Sequence, residues 1–145
     1  MSTQVTDSPD PSVADHVRRY LATDGADGFL EGGSTNLVLT TVGRSTGQRR
    51  RTALFFGQDG DRYVLVASGV RFGDPALPNW YRNLRANPEV EVQVRGERLT
   101  ARARTVVGPE RSRLWRLMAD DAPIFERHQA SVSHEIPVVV LERTP

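Results

Sequence analysis

Cysteine is absent from this 145-residue chain, which excludes disulfide bridges, thiolate metal sites and a cysteine nucleophile. Lysine is absent too, so arginine supplies all 19 basic residues. No stretch approaches the roughly 20 consecutive apolar residues of a membrane-spanning helix. The polar, acidic N-terminus lacks the apolar core of a secretory signal. We therefore expect a cytoplasmic protein whose 38% hydrophobic content builds one core.

The net charge of +1 conceals an uneven distribution along the chain. Residues 44–104 contain twelve arginines and six acidic residues, whereas residues 1–43 and 105–145 each carry more acids than arginines. A local excess of positive charge favours an anionic partner. The middle of the chain is therefore where we expect a binding site for such a partner.

Residues 1–11 are polar and contain two prolines, which predicts a disordered lead-in. Hydrophobic periodicity from residue 12 onward predicts a single domain over residues 12–145. Because the predicted strands are joined by tight turns and not by regular helical crossovers, a small barrel or sandwich of about six antiparallel strands is favoured over a parallel sheet. The predicted strands cover residues 37–42, 52–56, 63–67, 90–94, 99–105 and 136–141, and the predicted helices begin near residues 12, 79, 110 and 123.

The densest candidate feature is the turn and arginine run over residues 43–51 (GRSTGQRRR). Its glycines allow backbone N–H groups to face a ligand, and its four arginines offer bidentate donors to phosphate or carboxylate. The alternative is a solvent-facing hairpin tip, and composition alone leaves both open. The segment is not a nucleotide-binding P-loop, because it lacks lysine and a strand follows it.

A second candidate is the loop over residues 67–78 with the helix that follows it. Trp80 and its neighbours could wall a pocket, although a tryptophan at a helix start is more often a core anchor. The three histidines match no metal-ligand spacing, and no Gly-x-Ser-x-Gly elbow or Ser-His-Asp order is present. The sequence therefore carries no hydrolase signature.

Four segments in order resemble the deazaflavin-dependent nitroreductase and quinone reductase family: residues 39–50 (LTTVGRSTGQRR), 66–68 (VAS), 80–88 (WYRNLRANP) and 136–140 (IPVVV). The resemblance implies a split β-barrel of the flavin-mononucleotide-binding type. It also implies coenzyme F420, an 8-hydroxy-5-deazaflavin with a phosphate and an oligoglutamate tail. The implied reaction is hydride transfer to quinones, nitroaromatics or similar electron-poor acceptors, with no catalytic side chain because the cofactor carries the chemistry.

Carried over position by position, the resemblance implies a set of cofactor-binding residues and three residues in the acceptor pocket. The cofactor set is Arg44, Ser45, Thr46, Gly47, Gln48, Arg50, Leu54, Phe55, Ala67, Ser68, Gly69, Trp80 and Asn83. The acceptor set is Ala122, Phe125 and His128, where drug-activating members carry tyrosines. Family lysines are absent at Ser45 and Gly69, and Arg49, Arg51 or Arg71 could replace them.

Two other functions compete with this prediction. A flavin-mononucleotide-dependent reductase could use the same barrel, and a non-catalytic module could bind nucleic acid or another anion through the arginine-rich turn. Stacking aromatic residues are missing from residues 43–52, which argues against nucleic acid. Weak peripheral membrane association through the first helix is left open, because quinones reside in membranes, although Asp15, Asp24 and Asp27 oppose binding to an anionic surface. The sequence does not indicate the oligomeric state.

Overall fold

A computed structural model of the chain describes residues 5–69 and 77–145. Within these residues lie four helices and nine strands. The helices are α1 (Pro11–Ala22), α2 (Asn79–Ala86), α3 (Gly108–Asp121) and α4 (Ile124–Ala130). The strands are β1 (Val5–Thr6), β2 (Leu30–Glu31), β3 (Ser34–Val42), β4 (Arg49–Phe55), β5 (Gly57–Asp59), β6 (Arg62–Val66), β7 (Glu89–Val94), β8 (Glu97–Thr105) and β9 (Val138–Arg143).

The strands follow the order β1-β4-β3-β7-β8-β9-β6-β5, with β2 paired to β3, which gives a mixed α+β fold. All six predicted strands are present, but the prediction of about six antiparallel strands is wrong in two respects. The described residues contain three more strands, and β1 pairs with β4 in parallel. The additional strands have two or three residues, which is too short to show an alternating pattern.

The N-terminal segment is the clearest departure from the sequence prediction. Val5 and Thr6 pair with Arg49 and Arg50, so the predicted disorder is wrong for these residues. Thr6 Oγ1 also donates a hydrogen bond to Gln48 Oε1 at 3.0 Å. A two-residue edge strand is held by backbone pairing and by this bond, and neither leaves a hydrophobic signal in the sequence.

Helix α1 packs through its apolar side on the face of the sheet that carries Val38. Asp10 caps the helix by accepting a hydrogen bond from the Ser12 backbone N–H at 2.9 Å. Val17 and Tyr20 are buried against Val38 of β3. Because the Tyr20 hydroxyl donates to the Asn36 carbonyl at 3.0 Å and accepts from the Arg95 N–H at 2.8 Å, its burial leaves no polar group unsatisfied.

The core occupies both faces of the sheet. Leu37, Leu39 and Leu65 form its largest part together with Tyr81 and Leu84 of α2. A second cluster lies under α3, whose Leu114 and Met118 pack against valines of β6 and β9. Among the described residues, none of the helices is long and apolar enough to cross a bilayer.

Strand β4 begins three residues earlier than predicted, which changes the placement of the arginine run. Arg49, Arg50 and Arg51 pair with Val42, Thr41 and Thr40 of β3 and therefore lie in a strand, not in the turn. Successive strand residues point to opposite faces of a sheet. Arg50 consequently projects to one side of β4, and Arg49 and Arg51 project to the other.

Candidate functional site

A cavity of about 510 Å³ lies along the edge of β4, and we call it the edge cavity. In the described residues β1 pairs only with Arg49 and Arg50, so residues 51–55 of β4 have β3 as their single strand partner. The cavity follows this free edge and reaches the turn after β3, the start of α2 and the segment before α1. Nine of the predicted cofactor residues line it: Arg44, Ser45, Thr46, Arg50, Leu54, Ser68, Gly69, Trp80 and Asn83.

The turn between β3 and β4 brings two polar side chains together over a buried glycine. The Gly43 N–H donates to the Gln48 carbonyl at 2.7 Å, and the Gly47 N–H donates to the Gly43 carbonyl at 2.8 Å. A Cβ atom on Gly43 would lie 2.8 Å from Thr46 Oγ1 and 3.2 Å from Arg50 Nε. Only glycine therefore lets these two side chains converge at the cavity without displacement.

Arg44 is fixed by helix α2. Its backbone N–H and its Nη1 donate to Asn83 Oδ1 at 3.3 and 2.7 Å, and its Nη2 donates to Asn79 Oδ1 at 3.3 Å. Asn83 is buried and donates in turn to Thr41 Oγ1 at 3.3 Å. Because both amides are neutral, they orient the Arg44 guanidinium without cancelling its charge.

The three consecutive arginines of β4 have different surroundings. Arg49 pairs with Glu91 at 3.0 Å. Arg50 and Arg51 are half-buried and line the edge cavity. Their side chains have no hydrogen-bond or ion-pair partner within residues 5–69 and 77–145. Of the candidates for the absent family lysines, Arg49 is thus engaged elsewhere, Arg51 is available, and Arg71 lies outside the described residues.

Four predicted cofactor residues do not line the cavity. Gly47 lies at the tip of the turn with a positive φ of 69°, and the Gln48 side chain is held by Thr6. Ala67 is buried in the core, where its N–H donates to the Pro137 carbonyl at 2.9 Å. Phe55 packs against the core cluster under α3 and contacts Phe125.

The predicted acceptor residues lie beside the far end of the cavity and contact it through Ser68. Ser68 Oγ and His128 Nδ1 are 3.0 Å apart, and the rings of Phe125 and His128 are 5.9 Å apart. Phe55, which does not line the cavity, contacts Phe125 with a centroid separation of 5.9 Å. Ala122 lies next to this cluster and accepts a hydrogen bond from the Phe125 N–H.

Burial lowers the pKa of the His128 imidazole below the usual value, which favours the uncharged ring. The surrounding rings of Phe55 and Phe125 are apolar. The acceptor side of the site is therefore neutral, whereas the turn side carries unneutralised arginines.

Several residues of the cavity were not predicted. The most distant in sequence is the segment that precedes α1, where Asp7 and Asp10 bring negative charge to the cavity wall. Because residues 1–11 were predicted to be disordered, Asp7 and Asp10 were not considered as site residues. Thr41 and Asn79 were missed as well, although each lies beside a motif residue that was identified. The other lining residues that were not predicted as site residues are Ser8, Pro9, Val13, Thr52, Ala53, Val66 and Pro78, whereas Gly43 and Arg51 belong to the predicted arginine-rich turn.

Comparison with known proteins decides the family. The family profile described as F420H(2)-dependent quinone reductase matches residues 12–143. An F420H(2)-dependent quinone reductase of Mycobacterium tuberculosis is 40% identical over 132 residues, which cover 88% of this chain and 87% of the relative. The chain belongs to the F420H(2)-dependent quinone reductase family. Membership confirms the resemblance found in the sequence and makes the chain an F420-dependent oxidoreductase.

Solved structures of similar proteins agree with this assignment. An F420-H2 dependent reductase is 28% identical and covers 97% of this chain and 100% of its own, with a TM-score of 0.67. A second structure, described as a domain-swapped dimer, is 32% identical and covers 93% of this chain and 100% of its own, with a TM-score of 0.70. The mixed α+β sheet of the quinone reductase family is therefore the fold of this chain.

The edge cavity fits the cofactor of the family. A polyanionic group needs cations that the protein does not neutralise, and Arg44, Arg50 and Arg51 meet this condition. The buried Gly43 leaves room for the Thr46 and Arg50 side chains to meet there. Leu54 and Trp80 supply apolar walls of the kind a flat ring requires.

Proposed function

We propose that this protein transfers a hydride from reduced coenzyme F420, bound in the edge cavity, to a quinone, a nitroaromatic or a similar electron-poor acceptor. The observation that carries the proposal is the presence of Arg44, Arg50 and Arg51 around one cavity without an acidic partner among the described residues. The family assignment supports coenzyme F420 as the cofactor. The three guanidiniums favour an orientation in which the anionic groups of the cofactor face the arginines.

The arginines would hold the phosphate-bearing side of the cofactor. Arg44 is pre-positioned by Asn83 and Asn79, so little side-chain entropy is lost when it binds an anion. Arg50 lies across Gly43 beside Thr46, whose hydroxyl adds a hydrogen-bond donor. Each charge-assisted hydrogen bond contributes about 1.5–3 kcal/mol, so these contacts would dominate cofactor affinity.

The ring would lie between β4 and α2, against Leu54, Gly69 and Trp80. This is the arrangement that we expect of a split β-barrel of the flavin-binding type. When bound, the reduced deazaflavin supplies the hydride, and the chain needs no nucleophile or general base of its own. The protein's contribution is to bind the ring, exclude water with the side chains of Leu54 and Trp80, and orient the acceptor.

The acceptor would approach from the side of Ser68, Phe125 and His128. Phe125 offers an aromatic edge to a planar acceptor, and neutral His128 adds no charge that would favour an anionic one. Ala122, Phe125 and His128 all lack the phenol hydroxyls that the resemblance associates with activation of bicyclic nitro drugs. We therefore expect simple quinones to be better acceptors than such drugs.

Titration of the purified protein with reduced coenzyme F420, followed by addition of menadione, tests the proposal. We expect saturable binding and menadione-dependent oxidation of the cofactor, followed by its absorbance, and no oxidation without acceptor under anaerobic conditions. A dissociation constant weaker than about 1 mM would contradict the proposal, since three charge-assisted hydrogen bonds of about 1.5–3 kcal/mol each together exceed the roughly 4 kcal/mol that this constant represents. A protein that purifies yellow with bound flavin mononucleotide would support the alternative flavin-dependent reductase.

A further inference from the structure

Helix α4 presents two of the proposed acceptor residues, Phe125 and His128, yet it has little apolar attachment to the rest of the domain. None of its seven residues is fully buried, and Ile124 is 48% exposed. Phe125 is its apolar contact with the core cluster under α3. Because helices in proteins are held mainly by the burial of an apolar face, polar contacts must contribute much of what fixes the position of α4.

Gln129 attaches α4 to the segment that leads into β9. Its Nε2 donates to the His134 carbonyl at 2.8 Å, and its Oε1 accepts from the Ile136 N–H at 2.8 Å. Ile136 is only 1% exposed, so its N–H is shielded from water and depends on this side chain for a partner. Both ends of the Gln129 amide are bonded, which fixes the direction of the side chain.

The segment that receives Gln129 is itself held by helix α3. Arg111 of α3, whose side chain is 14% exposed, donates through Nη2 to the Ile136 carbonyl at 2.7 Å. Its guanidinium also pairs with Glu135 at 3.0 Å and lies 5.0 Å from the centre of the Trp115 ring. Gln129 is therefore bonded to a segment whose own position is fixed by the domain.

The same segment connects α4 to the edge cavity. The Pro137 carbonyl, one residue beyond the N–H bound by Gln129, accepts a hydrogen bond from the Ala67 N–H at 2.9 Å. Ala67 precedes Ser68, which lines the edge cavity and whose Oγ lies 3.0 Å from His128 Nδ1. These contacts form a closed circuit from Gln129 through the segment before β9 and the end of β6 to His128, and back along α4.

We propose that Gln129 is a positioning residue for the acceptor, which sets the distance between α4 and the edge cavity and so places Phe125 and His128 beside the bound acceptor. This inference rests on the proposed function. Gln129 does not line the edge cavity and acts through the helix. Because reaction rates are sensitive to displacements of about 1 Å, a helix that loses this attachment should bind and orient the acceptor less well.

Steady-state kinetics with menadione test the role of Gln129. Gln129→Met removes both hydrogen bonds and keeps a side chain of similar length. We expect the KM for menadione to rise about fivefold, with kcat and the dissociation constant of reduced coenzyme F420 each changed less than about twofold. A residue that served stability alone would leave the KM of the folded enzyme unchanged.

Tyr20→Phe is the matched control, because Tyr20 also bonds one backbone carbonyl and one backbone N–H through a single polar side chain. Its hydroxyl donates to the Asn36 carbonyl at 3.0 Å and accepts from the Arg95 N–H at 2.8 Å. The variant loses a comparable pair of buried bonds on α1, at a residue that does not line the edge cavity. Its KM for menadione should stay within about twofold of the wild-type value.

Limited trypsin digestion reports on the attachment of α4 without any ligand. Arg127 is exposed in the middle of α4, and cleavage after it requires local unfolding of the helix. Gln129→Met should raise the rate of this cleavage about fivefold, measured by mass spectrometry of the fragments, because local opening becomes more frequent. Tyr20→Phe should leave the rate unchanged.

Glu126→Ala keeps the test available if Gln129→Met does not fold. It removes an exposed carboxylate that accepts a 2.7 Å hydrogen bond from Trp115 Nε1, the second polar attachment of α4. The KM for menadione should rise about twofold, since the bond to Gln129 remains. Thermal unfolding followed by circular dichroism establishes which variants are folded at the assay temperature.

The outcomes separate this inference from the proposed function. If the wild-type protein does not oxidise reduced coenzyme F420 with menadione, the proposed function is wrong and this inference falls with it. If it does, and the folded Gln129→Met, or Glu126→Ala in its place, leaves the KM for menadione unchanged, the positioning role is wrong while the proposed function stands. An equal rise in KM for Tyr20→Phe, or unchanged cleavage after Arg127 in Gln129→Met, would also overturn the inference.

Discussion

Two clusters of arginine in this chain have opposite electrostatic surroundings. In the edge cavity, Arg44 contacts only neutral amides, and Arg50 and Arg51 have no partner among the described residues. At the opposite end of the strand order, around β5 and β6, Arg62 and Arg113 share Asp59, and Arg62 also pairs with Glu110 at 3.1 Å. One cluster is left charged for a ligand, whereas the other neutralises itself.

The self-neutralised cluster joins elements that are distant in sequence. Arg113 of α3 donates to both carboxylate oxygens of Asp59 in β5, at 2.9 and 3.1 Å. Arg104 of β8 connects Glu110 of α3 with Glu142 of β9. The guanidiniums of Arg113 and Arg62 hold the pKa of the Asp59 carboxyl well below its usual range, as expected of a carboxylate with two close cations.

The difference between the two clusters shows that a high local density of arginine does not by itself identify a binding site. Both clusters contain three arginines, two of which lie in strands in each case. What distinguishes them is whether acidic side chains form ion pairs with the guanidiniums, and that depends on strand register and helix packing. Loss of an arginine should therefore weaken ligand binding in one cluster and folding stability in the other.

The largest effect that we expect is on cofactor binding by Arg50→Ala. Removal of this side chain should raise the dissociation constant for coenzyme F420 tenfold or more, since a charge-assisted pair is lost in a half-buried cavity. The free energy of unfolding should change by less than about 0.5 kcal/mol, because the Arg50 side chain has no hydrogen-bond or ion-pair partner to lose among the described residues. Fluorescence titration and urea denaturation measure the two quantities.

Arg116→Ala is the control for the change in net charge, and it should leave cofactor affinity unchanged. If Arg50→Ala destabilised the fold as strongly as it weakened binding, the distinction between the two clusters would be lost. Arg50 would then have to be regarded as a structural residue.

The ligand-binding cluster was predictable from the sequence because its residues are close together along the chain. Residues 43–51 carry the turn, the glycines and the arginines in one segment, and the motif around Trp80 and Asn83 identified the facing helix. The alternating patterns of β7 and β8 and the β-branched, apolar run of β3 likewise gave these strands nearly correct bounds. Local sequence is informative where one short element determines the geometry.

The sequence did not predict what depends on long-range pairing. The different roles of Arg49, Arg50 and Arg51 follow from the register of β4 against β3, and one residue of shift would exchange them. The contribution of Asp7 and Asp10 to the cavity depends on the two-residue strand β1, which has no periodicity to recognise. The Ser68–His128 contact spans 60 positions, and only the folded chain reveals it.

The self-neutralised cluster provides the converse prediction. Asp59→Ala should lower the free energy of unfolding by about 1 kcal/mol, because two arginines lose a carboxylate partner that is only 21% exposed. Cofactor affinity should be unchanged, since Asp59 does not line the edge cavity. Urea denaturation at neutral pH provides the measurement.

Asp120→Ala is the matched control, because Asp120 is exposed in the last turn of α3 and has no partner among the described residues. A carboxylate at a helix C-terminus is unfavourable, so this variant should be neutral or slightly more stable. Equal destabilisation by both variants would mean that the Asp59 ion pairs do not contribute to stability.

The smallest effect that we expect concerns the pH dependence of folding. Because the pKa of Asp59 is lower in the folded chain than in the unfolded chain, its ionised form stabilises the fold. That stabilisation is complete above the unfolded pKa and is lost as the pH falls through the unfolded value toward the folded one. Urea denaturation between about pH 6 and about pH 3 should therefore show the stability of the wild-type protein approaching that of Asp59→Asn as the pH is lowered. A difference between the two proteins that stayed constant over this range would show that Asp59 gains nothing from its ionisation, and the contrast between the two arginine clusters would then rest on ligand binding alone.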